Sequence, residues 1–260
     1  PPYTREYWAK RLSEFVPAYI ADHEILCEID TAPAVVFHGS MATGDGDRLS
    51  DLDVWLLYPD DVAAVVAERA GTTFFSFVCD GVEGHMNSEP VGAIHQRVQS
   101  CDMDLIYQLR RCAILSDSND MAESLVAQAR QPMRRAVRNA FFFYHYVEMR
   151  GDHRACDNPL ERGDSIAMLH LLPKVTGHAL RAALILDAEP YPYDKWIAKA
   201  AGEKPVGRIV LAGVERIMEM VSSGGLLQPG PQDDHPITLE LRAIRQTLID
   251  TADERCVYGE

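Results

Sequence analysis

Long apolar runs are missing from this 260-residue chain. None approaches the ~18 residues of a membrane-spanning helix. No signal-peptide pattern opens the sequence, which begins Pro1-Pro2 without a methionine. Paired cysteines are missing too: the six stand at positions 27, 79, 101, 112, 156 and 256, none of them in a CxxC pair. That scatter speaks against a zinc site or a disulfide framework, and it fits a reducing cytoplasm. No internal repeat or low-complexity tract is visible. Basic residues are scarce where they would matter for nucleic acid. The first 130 residues carry 9 Lys/Arg against 21 Asp/Glu, net −12, and the remaining 130 carry 16 against 18, net −2. Such a first half repels phosphate backbones, so nucleic acid is a disfavoured partner, while metal cations and cationic ligands are tolerated. Plain solubility is the simpler use of the same acidity.

What is present suffices for a core: 47% of residues are apolar. Residues 3–29 read as a helix, with Trp8, Leu12, Phe15, Tyr19 and Ile20 at helical spacing and Pro17 a point of breakage. "AVVFHGS" and "DLDVWLLY" read as strands, the second stopped by Pro59. "DDVAAVVAERAG" reads as a helix with acids in its first turn and Gly71 as its stop. "TTFFSFVCDG" is a third strand, and a fourth is expected around residues 103–107 in "CDMDLIYQL". After Asp117 the pattern is helical, with "MAESLVAQARQPMRRAVRNAFFFYHYVEMRG" broken at Pro132, "SIAMLHLLPKVTGHALRAALILD", "YPYDKWIAKAAG", "VGRIVLAGVERIMEMVSSGG" and "HPITLELRAIRQTLIDTADERC". "GGLLQPGPQDDHP" reads as a loop. The expected layout is an α/β domain over residues 1–125 and a helical domain over 126–260.

One stretch breaks the apolar logic: "HGSMATGDGDRLSDLDVWLL". Residues two apart on a strand face the same way, so Asp51 and Asp53 project together. Two parallel carboxylates repel, and burying them without a partner is costly. They call for a cation, and carboxylate oxygens suit hard divalent ions such as magnesium. Upstream, Gly39 lets backbone approach a ligand closely, and Ser40 both donates and accepts hydrogen bonds. Backbone N–H groups at such a turn favour an anion. His38, just before, reads as a packed histidine.

Gly39-Ser40, ten residues, then Asp51-Leu52-Asp53 resembles the signature of the polymerase-beta-type nucleotidyltransferase superfamily. The resemblance implies a nucleotidyltransferase domain with a short mixed sheet, followed by a helical bundle. It implies that Asp51 and Asp53 hold two magnesium ions and that Gly39 and Ser40 meet the phosphates of a nucleoside triphosphate, ATP first among them. A third carboxylate is expected from a later strand. Asp104 is favoured, because Leu105 and Ile106 continue behind it, and Asp102 is the reserve. Thr43 stands where the superfamily commonly has arginine, and Arg48 is the substitute phosphate contact.

The second half, through "DNPLERGDSIAML" and the Tyr191-Pro192-Tyr193-Asp194-Lys195-Trp196 element, resembles the helical domain of aminoglycoside and lincosamide nucleotidyltransferases. That likeness implies transfer of a nucleoside monophosphate to a hydroxyl of a small molecule, with pyrophosphate released and a homodimer as the related arrangement. Lys195 is then a β/γ-phosphate ligand with Trp196 packed beneath it, and the general base is Asp104 or Glu148. A solvated lysine and a surface glutamate are the plainer readings of Lys195 and Glu148. Two other functions stay open: transfer to a protein or tRNA, and a non-catalytic partner protein that keeps the fold. Arg138 and His145 also meet the Arg-x6-His spacing of some helical ribonuclease domains, although Phe141–Tyr144 between them reads first as core.

Overall fold

The computed structural model describes residues 4–224, 234–255 and 257. The chain divides into two compact units, Pro1–Gln131 and Pro132–Glu260. The loop expected at "GGLLQPGPQDDHP" lies largely outside the described residues.

The first unit is built on a five-stranded mixed sheet. β1 (Ala34–His38) and β2 (Leu52–Tyr58) are the strands expected from their β-branched and aromatic residues, and they pair antiparallel. β3 (Phe74–Cys79) and β4 (Val82–Pro90) form a hairpin, and β4 runs parallel beside β2. β5 (Ala113–Ser116) closes the other edge against β1, giving the order β3-β4-β2-β1-β5. No helix among the described residues is long and apolar enough to cross a membrane.

Each face of the sheet has its own core. On one face Val35, Phe37, Val54, Leu56, Tyr58 and Phe75 pack with Trp8, Leu12 and Val16 of α1 (Arg5–Asp22). α1 runs through Pro17 as one helix, so that proline does not break it. On the other face Val36, Trp55 and Leu57 meet the apolar sides of α4 (Val91–Gln99), α5 (Met103–Arg111) and α6 (Met121–Ala129). α3 (Asp60–Ala70) adds Ala63 and Val66 to the first of these cores, with Asp60 and Asp61 in its first turn and Gly71 closing it in the left-handed region at φ 64°.

Two expectations for this unit are corrected. Residues 103–107 are not a strand but the start of α5. Met103, Leu105, Tyr107 and Leu109 are all buried, which mimics the alternation of a strand. They are two i,i+4 stripes, 103/107 and 105/109, buried on two sides of one helix. Asp102 caps it, accepting from the Leu105 N–H at 3.1 Å, and Arg97 holds that carboxylate at 2.8 Å. Two strands were not expected, the short β5 and the central β4. "VEGHMNSEP" has few strand-forming residues, yet it lies between β2 and β3 and bonds to both. Its signal was Asp80-Gly81: both residues have positive φ, 49° and 81°, the two-residue hairpin turn that Asp-Gly favours.

The second unit is helical: α7 (Arg135–Ala155), α8 (Asp157–Arg162), α9 (Ser165–Leu186), α10 (Ile197–Gly202), α11 (Pro205–Ser222) and α12 (Pro236–Glu254). Its core repeats at helical period, as in Val206, Val210, Val214 and Ile217 of α11 and Ile237, Leu241, Ile244 and Leu248 of α12. α9 continues as helix through Pro173.

Candidate active site

The site lies at the end of the sheet where β1 stops and β2 begins. Antiparallel register places His38 opposite Asp53, and parallel register places His85 on Asp53's other side. The three residues therefore occupy one row of one face, continued inward by Trp55. Asp51, Asp53 and His85 each offer a ligand atom, all within 4.8 Å of one another. The His85 Nδ1 is 3.3 Å from the Asp51 Oδ2, and their side chains are 31% and 48% exposed. The Phe74 ring, on β3, lies 4.9 Å from the His85 ring and packs beside it.

The Gly-Ser turn forms the adjoining wall. α2 (Gly39–Thr43) begins directly from β1, with Gly39 in the left-handed region at φ 73°. A Cβ at Gly39 would collide with the Asp53 carboxylate. Only glycine lets the backbone pass that close in that conformation. Ser40 is buried, and its carbonyl accepts from the backbone N–H groups of Asp45 at 2.9 Å and Gly46 at 2.8 Å.

Thr43 has a structural task. Its hydroxyl donates to the buried Asp45 carboxylate at 2.6 Å, and the Tyr107 hydroxyl donates to the same oxygen at 3.0 Å. The loop beyond is shaped by Asp47, whose carboxylate accepts from the Leu49 N–H at 2.8 Å. Arg48 is exposed on this loop.

Asp104 is in the first turn of α5, and it is not one of the three clustered ligands. Its carboxylate accepts from the Gln108 amide at 3.0 Å, while the Gln108 carbonyl oxygen lies 3.0 Å from the His38 Nδ1. A carboxylate accepts only, so the amide orientation is set, and the His38 Nδ1 carries the proton that Gln108 receives. The His38 ring stacks on Trp55 at 3.7 Å, and burial pushes its pKa down to about 3. His38 is thus a neutral imidazole with Nε2 as a lone pair, and that buried nitrogen has no hydrogen-bond partner among the described residues.

Glu148 and Lys195 belong to the second unit. Glu148 is exposed on α7. Lys195 is exposed in a single 3₁₀ turn, Asp194–Trp196, with its ammonium 4.9 Å from the Trp196 ring centroid. Trp196 is half-buried rather than part of the helical core, and its indole N–H donates to the Tyr193 hydroxyl at 2.9 Å. His145 is buried, with Nδ1 2.9 Å from the His178 Nδ1 and Nε2 2.9 Å from the Tyr191 hydroxyl. Burial pushes it down to about 3. An imidazole engaged at both nitrogens has no free position for a substrate proton, which removes the support for a ribonuclease role of the Arg138/His145 spacing.

The residue that sequence reasoning missed here is His85. It was hidden because its strand was hidden, and the Asp80-Gly81 turn was the available signal.

No family model matches the chain, and no curated protein matches it. Among solved structures, a nucleotidyltransferase-like protein from Exiguobacterium sibiricum 255-15 matches with a TM-score of 0.50 at 9% identity, over 97% of this chain and 77% of that one. The likeness is one of fold: an α/β unit with a short mixed sheet followed by a helical unit.

Proposed function

We propose that the chain is a nucleotidyltransferase, moving a nucleoside monophosphate from a nucleoside triphosphate to a hydroxyl of a small molecule. The observation that carries this reading is the pressing of the Gly39 turn against Asp53, with Asp51 beside it. The turn and the carboxylates form one wall, as a metal–triphosphate site requires. The acceptor oxygen forms a bond to the α-phosphorus, the bond to the β-phosphate bridging oxygen breaks, and pyrophosphate leaves. The acceptor's proton passes to a carboxylate, for which Asp104 and Glu148 are the candidates from sequence. The donor set Asp51, Asp53 and His85 fits one divalent cation, which when bound supplies positive charge to the triphosphate. Asp51 and Asp53 would hold it, and Gly39 and Ser40 line the adjoining turn. The roles read for Arg48 and Lys195 as phosphate contacts rest on the sequence alone, as does the choice of ATP.

An acceptor of the aminoglycoside class agrees with the net −12 of the first 130 residues, since an acidic surface concentrates polycations. The test is mass spectrometry of an acceptor panel incubated with each nucleoside triphosphate and a divalent metal. Gain of one nucleoside monophosphate, with matching pyrophosphate, is expected on a cationic hydroxylated small molecule. Labelling of a protein or a tRNA instead would replace the acceptor class.

A second reading is favoured by one observation, the His85–Asp51 contact at 3.3 Å. An imidazole N–H donating to Asp51 there would hold that carboxylate without metal, as a non-catalytic partner protein would need. Calorimetry showing no metal–nucleotide binding would favour that reading over the transferase.

A further inference from the structure

A two-magnesium centre normally draws on carboxylate oxygens, because magnesium is hard and prefers oxygen in an octahedron. Here the third donor beside Asp51 and Asp53 is nitrogen. Asp104, the carboxylate expected there, belongs instead to the hydrogen-bond chain that ends on His38. The placement of His85 is built into the fold. β4 runs parallel to β2 with His85 in register with Asp53, so the imidazole projects from the same face. Antiparallel pairing with β3 puts Ser76 on its far side, and the Phe74 ring packs beside it at 4.9 Å. The imidazole is 31% exposed, partly shielded yet open to an entering ion. Its nearest charged neighbour is Asp51, whose carboxylate is the second donor.

We infer that Asp51, Asp53 and His85 form a single-ion centre that prefers a first-row divalent cation to magnesium, with manganese(II), the weakest binder of that series, as the minimal case. Imidazole suits the later members of that series, and affinity for a mixed nitrogen–oxygen set rises along it from manganese. Three donors within 4.8 Å are the set of one ion, and they leave its remaining positions to water or phosphate oxygen. The inference rests on the nucleotidyl-transfer reading only for the cation's use, since the binding preference follows from the donors.

The test uses the whole chain, with manganese(II) and magnesium(II) as probes. Calorimetry and the electron paramagnetic resonance of free manganese give the two affinities. In the wild type, manganese is expected to bind more than about tenfold more tightly than magnesium. Pulsed resonance on bound manganese should show coupling to an imidazole nitrogen. His85→Asp restores an all-oxygen set, so the nitrogen coupling should vanish and the preference should narrow to within about threefold. Asp53→Asn should weaken both ions. Circular dichroism and a melting curve report whether each variant is folded. If His85→Asp fails to fold, the wild-type nitrogen coupling and affinity ratio decide by themselves. Equal affinities in the wild type, no nitrogen coupling, or an unchanged ratio in folded His85→Asp would each overturn the inference. Turnover assayed alongside separates the two readings. Full turnover with magnesium and no manganese preference defeats the selectivity and leaves the transferase. Selective manganese binding without turnover on any acceptor upholds the centre and defeats the transferase.

Discussion

Gly39 and Asp53 meet across the β1–β2 pair so closely that a single methyl group at Gly39 would collide with the Asp53 carboxylate. Asp53 cannot move away freely, because its backbone is bonded into β2 between β1 and β4. Gly39→Ala therefore faces both a left-handed backbone and a clash. The expected result is a loss of about 1–3 kcal/mol of stability together with weakened metal binding. Thermal melting and a manganese titration check both. A variant that melts and binds like the wild type would show that the turn and the carboxylate are not coupled.

Asp53→Asn keeps the shape and removes the charge. The fold should persist, while metal affinity drops by more than about tenfold, or 1.4 kcal/mol. Nucleotide binding that depends on metal should drop with it. Asp104→Asn separates the two carboxylates. Because Asp104 acts on His38 through Gln108, its loss should leave manganese affinity near wild type. A metal affinity as low as that of Asp53→Asn would return Asp104 to the ligand set.

Gln108 connects α5 to β1 by accepting from His38 and donating to Asp104. Gln108→Met has similar length and neither group. It leaves the buried His38 Nδ1–H without its acceptor, which costs about 1–3 kcal/mol. Urea denaturation should show an earlier midpoint with an unchanged slope. An unchanged midpoint would mean that the His38–Gln108 bond contributes no net stability.

Acid should destabilise the chain through its buried imidazoles. Burial holds His38 and His145 down to about 3 and His153 to about 4. In the unfolded chain each takes a proton near its ordinary value of about 6.5. The unfolded state therefore binds more protons in the window below about pH 6.5, and stability must fall as pH falls through it. It is complete above that window. Each such histidine contributes about 1.4 kcal/mol per pH unit. Denaturation midpoints at pH 7, 6 and 5 should decline, and His38→Gln should flatten the decline by one histidine's share. A His38→Gln profile parallel to the wild type would show that His38 is not held neutral.

Much of this architecture could be read along the chain, because it depends on local signals. The β-branched run before Gly39-Ser40 and the apolar run after Asp51 are strands in the structure. The acids and Gly71 that bracket α3, and the helical periods after Asp117, are local as well. The pairing of Gly39-Ser40 with Asp51 and Asp53 was legible for the same reason: a short hairpin-like return brings residues close in sequence close in space. β4, β5 and α5 were not legible. β4 holds its place by bonding to two neighbours, and that compensates for a polar sequence with weak strand propensity. α5 is buried on two sides, so its pattern has a strand's period and only its capping and end charges mark a helix. The sequence by itself determined that two carboxylates would stand beside a glycine turn at the end of a strand. Only the tertiary structure decided that His85, rather than Asp104, stands within 4.8 Å of Asp51 and Asp53. That choice depends on which strand runs parallel to β2, and strand neighbours are set by packing across the whole sheet.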